Sequence, residues 1–230
     1  SKCGCLVGRQ PSLRDGKLEH DFSRANVRAG VEQSLRRLKT DRLDLVQVHS
    51  SPSRATLEAN GTIDEMKALQ QEGKVRFLGM SSVLPDLRDH IAMGVFDVFQ
   101  IPYSALQPEH EAVIGEAARA GAGTIIRGGV ARGAPDLEPD RKDMQPFWRT
   151  FVKSKRDLWQ AAKLDELALG MGKTEFLLRF VLGHEDLHTT IVGTSKPEHL
   201  AANAAAASRG PLPPELRLEA KRRIAAAAAS

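Results

Sequence analysis

Long apolar runs are absent from this 230-residue sequence, and so is an N-terminal secretory signal. No apolar stretch reaches the length needed to span a bilayer, and Lys2 is not followed by a hydrophobic signal region. Hydrophobic residues make up 41% of the chain and charged residues 27%, which is ordinary for a globular protein. We therefore expect a cytoplasmic protein with no membrane partner.

Cysteine is also scarce, with only Cys3 and Cys5 in the chain. One residue separates them on an apparent strand, which is a poor spacing for a mutual disulfide. A zinc site would need two more ligands at a typical spacing, and none follows. We expect reduced thiols in a reducing compartment and no metal site.

Aromatic residues account for only 5% of the sequence, and the net charge is a mild +4. A nucleic-acid surface is typically a basic stripe with aromatic residues between the charges, and this sequence has neither. We therefore expect no nucleic-acid partner. A small positive potential does suit a phosphate-bearing small molecule. Nothing in the sequence indicates an oligomeric state.

A glycine-rich dinucleotide motif of the G-x-G-x-x-G type is missing after every strand-like segment. What is present is an alternation of short Val- and Ile-rich segments with amphipathic ones. The strand-like segments are 1–5, 43–49, 74–82, 95–104, 123–129 and 189–195. The helix-like segments are 23–39, 62–72, 85–93, 108–120, 158–169, 174–182, 197–207 and 214–229. Strand, helix, strand predicts an α/β fold with a parallel sheet and crossover helices.

Polar residues recur at or just beyond the predicted strand ends, where a β/α barrel carries its active site. His49 closes the apolar run that begins at Leu43, and Ser81, Gln100 and Arg127 hold similar positions. The count of about six strands falls short of the eight that a closed barrel needs. An open, doubly wound sheet is the alternative, although it usually carries the missing glycine motif.

Several segments, in order along the chain, resemble the aldo-keto reductase family. They are SLRRLKTDRLDLVQVH (34–49), GKVRFLGMSS (73–82), FQIPYSAL (99–106), GVARGAP (129–135) and IVGTSKPEHLAAN (191–203). This resemblance implies a (β/α)8 TIM barrel, reduction of a small aldehyde or ketone by hydride from NADPH, and no metal. It also implies that residues 1–230 form one barrel domain that is incomplete and lacks roughly the first two strands and helices.

The resemblance also implies catalytic roles. The family acts through an aspartate, a tyrosine, a lysine and a histidine, and here His49 and Lys2 match the last two. The aspartate and the proton-donating tyrosine are expected in a segment before Ser1. The histidine would orient the carbonyl, and the lysine would lower the pKa of the tyrosine by its charge.

Cofactor-binding positions follow from the same resemblance. Ser81 and Gln100 match residues that hold the nicotinamide amide, and Ser82 replaces the usual asparagine. Arg127 stands where many members have a stacking aromatic residue. The pyrophosphate and adenosine positions are Gly128, Gly129, Val130, Arg132, Gly193, Thr194, Ser195, Lys196, His199 and Asn203. The hydroxyls of Thr194 and Ser195 and the positive charge of Lys196 favour NADPH over NADH.

The alternative to a reductase is a non-catalytic nicotinamide-binding or regulatory module on the same fold, or an inactive fragment of one.

Overall fold

The computed structural model describes residues 1–7, 19–138 and 144–229. Its strands are β1 (Lys2–Cys3), β2 (Leu43–Val48), β3 (Val75–Ser81), β4 (Val98–Pro102), β5 (Gly123–Arg127) and β6 (Thr189–Ile191). Its α-helices are α1 (Arg24–Leu38), α2 (Arg54–Ala59), α3 (Thr62–Gln71), α4 (Asp86–Ala92), α5 (Glu111–Arg119), α6 (Pro146–Ala161), α7 (Leu164–Ala168), α8 (Lys173–Leu182), α9 (Pro197–Ser208) and α10 (Pro214–Ala228). Two 3₁₀ helices, Pro108–His110 and Ala131–Asp136, lie between them.

Contacts within the chain divide it into two compact units. The first comprises residues 1–101 and 112–124, and the second comprises residues 102–111 and 125–230. None of the helices in the described ranges combines the length and hydrophobicity needed to cross a bilayer.

In the first unit, parallel strands follow one another in chain order. Strand β2 pairs with β1 and β3, and β3 pairs with β4 through Ser81 opposite Gln100. The order continues where the Gly123 amide at the start of β5 donates to the Asp97 carbonyl. This sequential order is that of a barrel wall, because a doubly wound sheet reverses its order at a switch point.

Helix α1 packs the outer side of this sheet. Its N-terminus is capped by the Ser23 hydroxyl, which accepts from the Asn26 amide, and it ends at Lys39 in the left-handed conformation. Val27, Val31 and Leu35 recur at helical spacing and are buried, which confirms the predicted helix to within one residue at each end.

An ion-pair network joins α1 to α3 and to the start of β3. The Arg28 guanidinium donates to Glu65 at 2.6 Å and, with two nitrogens, to both carboxylate oxygens of Glu72. Lys74 also pairs with Glu72 at 2.9 Å. The side chain of Glu65 is only 10% exposed, so Arg28 is needed to compensate its buried negative charge.

The second unit has its own core. Strand β6 pairs in parallel with β5, and the Arg127 residue opposes Ile191. The buried Trp159 of α6 contacts Phe176 of α8 edge to face at 5.5 Å.

The predicted helix 158–169 was wrong as one element. Lys163 adopts a left-handed conformation (φ 50°) that separates α6 from α7, and α6 begins much earlier, with Pro146 in its first turn. Between the predicted strand 123–129 and the predicted helix, residues 131–136 form a 3₁₀ helix, and residues 139–143 lie outside the described residues.

We predict that Arg28→Ala lowers the free energy of unfolding by about 1–3 kcal/mol, because it leaves the Glu65 carboxylate buried without its partner. Urea denaturation followed by circular dichroism measures this change. The matched control is Arg24→Ala on the same helix, whose pair with Asp64 is exposed on both sides. The control should shift stability by less than about 0.5 kcal/mol, and equal effects of the two changes would contradict the prediction.

Candidate functional site

Gln100 of β4 is the centre of a polar group in the first unit. Its Oε1 accepts a hydrogen bond from the Lys2 ammonium at 2.5 Å and a longer one from the Ser81 hydroxyl at 3.4 Å. The side chains of Ser81 and Gln100 are both buried. The structure therefore brings together three of the residues that the sequence predicted for the site.

The bond between Lys2 and Gln100 also reports the shape of the sheet. The two residues lie on β1 and β4, which in a flat sheet would be about 14 Å apart, three strand spacings. Two side chains span this distance more readily where the sheet curls toward them, as in a barrel wall. The bond is therefore compatible with a sheet that curves toward this polar group, as in a barrel wall.

His49 follows β2 directly and stays in register with β1, since its amide donates to the Cys3 carbonyl at 3.0 Å. It lies two residues beyond Gln47, whose register partner is Lys2. Because side chains alternate along a strand, His49 and Gln47 share the face that carries Lys2. The His49 ring is half-buried, and its Nδ1 lies near Cys5 and His20.

Gln47 is a member of this face that the sequence analysis missed. Its side chain is buried, and its Nε2 has no hydrogen-bond partner among the described residues. An unpaired buried amide is uncommon and calls for an explanation such as an unfilled ligand contact. The signal in the sequence was its position two residues before His49 in a largely apolar run.

The neighbouring Ser82 is engaged elsewhere. Its hydroxyl lies 2.7 Å from His90 Nδ1 and 3.1 Å from the Ser51 hydroxyl. His90 Nε2 lies 2.7 Å from the Pro52 carbonyl, which can only accept. His90 therefore donates from Nε2 and accepts from Ser82 at Nδ1, and Ser51 donates to Ser82. This chain of bonds joins the segments after β2 and β3, and a cofactor contact by Ser82 stays a prediction.

Two arginines lie close together in the second unit: Arg127 ends β5, and Arg132 is in the 3₁₀ helix that follows. Arg127 is half-buried, and its pKa is lowered, first by burial and then by the nearby charge of Arg132. Arg132 lies over the Trp148 ring, 4.4 Å from its centroid. No carboxylate of the described residues forms an ion pair with either arginine, so both charges are left for an anion.

The backbone between these arginines turns tightly. Residues Gly128, Ala131, Arg132 and Gly133 all have positive φ, between 48° and 75°. Such left-handed residues arrange successive amides into a concave surface that suits an anion. Gly129 must be small, because a Cβ there would lie 3.1 Å from Thr190 Oγ1 and against Val181. Val130 precedes the 3₁₀ helix that contains Arg132.

The last group of predicted residues surrounds the N-terminus of α9. Lys196 is the N-cap, and its amide donates to the Thr194 hydroxyl at 3.2 Å. The same hydroxyl lies 3.5 Å from His199 Nδ1. The exposed members of this group are Gly193, Thr194, Ser195, Lys196 and His199, whereas Asn203 is half-buried. A helix N-terminus beside a cation favours anionic ligands.

The sequence contains one tyrosine, Tyr103, and it is not placed for proton donation. Its side chain is fully buried, and its hydroxyl accepts a hydrogen bond from Arg217 at 3.1 Å. Burial raises the pKa of this hydroxyl above its ordinary value. Glu111 pairs with the same Arg217 at 3.3 Å. Tyr103 is therefore a core residue of the second unit.

This combination of parallel β/α units and polar strand ends is that of an α/β barrel protein with a site at the carboxyl ends of its strands. Residues 1–217 match the Aldo/keto reductase family, and the chain belongs to that family. The "Uncharacterized oxidoreductase YqkF" of Bacillus subtilis is 29% identical over 194 residues, covering 82% of this chain and 62% of the relative. "Aldo-keto reductase YhdN" of the same organism is 27% identical, covering 82% and 60%.

Among solved structures, the holo form of aldo-keto reductase AKR11C1 from Bacillus halodurans superposes with a TM-score of 0.78 and 25% identity. The match covers 96% of this chain and 71% of that chain. The expected α/β barrel class is thereby confirmed, and the described residues form a six-stranded part of such a sheet. The chain spans about three fifths of the length of the curated relatives it matches.

We predict that His90→Gln lowers stability and flattens its dependence on pH. Burial lowers the pKa of His90 below its ordinary 6.5, so the unfolded chain takes up a proton there before the folded chain does. The contribution of neutral His90 to the free energy of unfolding is therefore complete above about pH 6.5. It is lost as the pH falls toward the folded-state pKa, by up to about 1.4 kcal/mol per pH unit. Thermal unfolding from pH 5 to 8 measures the slope. Exposed His188→Gln should keep the wild-type slope, and an unchanged slope in His90→Gln would refute the assignment.

Proposed function

We propose that the protein reduces a small aldehyde or ketone by transfer of hydride from NADPH. The observation that carries this proposal is the polar group of Lys2, Ser81 and Gln100 on the face that also bears His49. Membership of the aldo/keto reductase family supports it. The cofactor supplies the hydride, and the residues of this chain position the reacting groups.

The chemistry of this face suits carbonyl reduction. Negative charge develops on the carbonyl oxygen as hydride arrives, and a hydrogen-bond donor aimed at that oxygen lowers the barrier. His49 is the donor that orients the carbonyl in this proposal. The Lys2 ammonium adds a positive charge on the same face, and its bond to Gln100 fixes its position.

Gln100 and Ser81 suit the nicotinamide carboxamide. The Oε1 of Gln100 is already an acceptor for Lys2 and Ser81, which leaves its Nε2 to donate to a carboxamide oxygen. The buried setting of both side chains makes such a bond specific, because an unmatched ligand would leave polar atoms without partners.

The second unit suits the phosphates of the cofactor. Arg127 and Arg132 lack carboxylate partners among the described residues, and the loop from Gly128 to Gly133 has the left-handed turns of an anion-binding backbone. Thr194, Ser195 and Lys196 offer hydroxyls and a charge for the 2′-phosphate that distinguishes NADPH from NADH. Both cysteines are free thiols, which supports a cytoplasmic location.

A non-catalytic nicotinamide-binding module is the second candidate. The observation that favours it is the pair Arg127 and Arg132 with the left-handed residues around them, which would bind the phosphates of the cofactor whether or not hydride is transferred. Turnover and binding therefore have to be measured separately.

We expect the full-length protein to oxidise NADPH in the presence of an aldehyde or ketone, and His49→Ala to lower kcat about 10²–10³-fold. The assay follows NADPH absorbance with a chelator present, because the proposed reaction needs no metal. The dissociation constant for NADPH should change little, since His49 contacts the carbonyl. Exposed His188→Ala is the matched control and should keep wild-type kcat.

Absence of turnover across a panel of aldehydes and ketones would overturn the reductase proposal. If NADPH still bound under those conditions, the binding-module candidate would stand in its place.

We also predict that Lys196→Ala weakens NADPH binding about tenfold while NADH binding changes less than about twofold, because only NADPH carries the 2′-phosphate. Titration of cofactor fluorescence measures both constants. Lys153→Ala removes another exposed lysine, in α6, and should affect neither cofactor. Equal losses for NADPH and NADH would contradict the assignment of Lys196.

A further inference from the structure

Three metal-ligating side chains that lie far apart in sequence meet at the end of β1. Cys5 lies two residues beyond the end of β1 and forms an antiparallel bridge with His20, supported by the bond from the Asp21 amide to the Gly4 carbonyl. His49 reaches the same point from the neighbouring strand β2. All three ligand residues are half-buried and belong to the first unit.

The spacing of their ligand atoms fits a single ion. Cys5 Sγ lies 3.1 Å from His49 Nδ1, His20 Nε2 lies 3.3 Å from the same nitrogen, and all three atoms lie within 4.8 Å of one another. Tetrahedral zinc with its usual bond lengths would separate sulfur and nitrogen by about 3.5 Å and two nitrogens by about 3.3 Å. The side chains are therefore already close to a coordinating arrangement.

The chemistry of the three ligands selects the class of ion. A thiolate and two imidazoles suit Zn²⁺ and Co²⁺, whereas Mg²⁺ and Ca²⁺ prefer oxygen ligands. Three protein ligands leave a fourth tetrahedral position for water, as in open rather than closed zinc sites. The Ser50 hydroxyl, 2.6 Å from His20 Nε2, lies beside this cluster.

We propose that Cys5, His20 and His49 form a binding site for Zn²⁺ or a similar borderline-soft divalent cation. The site ties the segment around His20 to the ends of β1 and β2. Since only the folded chain brings the three ligands together, bound metal stabilises the fold. The proposal concerns binding alone and does not depend on carbonyl reduction.

Cobalt is the probe that tests the proposal directly. Co²⁺ added to chelator-treated, reduced and metal-free protein should bind in a one-to-one ratio and give visible bands of tetrahedral Co²⁺ with a thiolate charge-transfer band. Zn²⁺ should displace it and raise the Tm. Failure of the folded wild-type protein to bind Co²⁺ or Zn²⁺ stoichiometrically would overturn the proposal.

Variants identify the ligands. Cys5→Ser should abolish the charge-transfer band, and both Cys5→Ser and His20→Gln should weaken Zn²⁺ binding at least tenfold. His20→Gln also serves if Cys5→Ser fails to fold. The matched controls, Cys3→Ala and His188→Gln, remove a cysteine and a histidine outside the cluster and should keep the wild-type spectrum. Unchanged spectra in Cys5→Ser and His20→Gln would place the cation elsewhere and refute the site.

Discussion

The hydrogen bond from Lys2 to Gln100 is the contact on which the rest of the first unit's site depends. It joins side chains from strands that are not neighbours, and it is compatible with a sheet curved toward its polar face. Curvature concentrates the groups of that face, because side chains that would diverge on a flat sheet converge on a concave one. Ser81 and His49 are candidate site residues because of this convergence, since each would otherwise be an ordinary polar residue at a strand end.

The two units differ in the kind of recognition that their residues support. The first unit offers neutral and directional partners: the amide of Gln100, the hydroxyl of Ser81 and the imidazole of His49. The second offers charge, because Arg127 and Arg132 lack acidic partners among the described residues and so attract an anion. Neutral, directional partners suit a planar amide, whereas arginines without acidic partners suit a phosphate.

Much of the fold could be predicted from the sequence, because its strands are short apolar runs and α1 has a clear 3.6-residue period with a serine cap. Helix α2 was not predicted, because its six residues are too few to show a period, although Ser53 caps it. The break at Lys163 was not predicted either, because nothing in this run of good helix formers indicates that the lysine adopts a left-handed conformation. Ser82 could be placed at a strand end from the pattern, but its bond to His90 depends on tertiary packing.

His49 shows why side-chain clusters are harder to predict than strand ends. Its position after β2 follows from the apolar run. Its neighbours Cys5 and His20, however, are brought together by one antiparallel bridge, which no periodicity in the sequence indicates. The two ring nitrogens can nevertheless serve different purposes. A thiol proton or a cation at Nδ1 leaves the ring proton on Nε2, the form in which an imidazole donates to a carbonyl. The proposed metal site and the proposed orientation of a carbonyl are therefore compatible within one histidine, because the partner at Nδ1 fixes the tautomer that the proposed reaction needs.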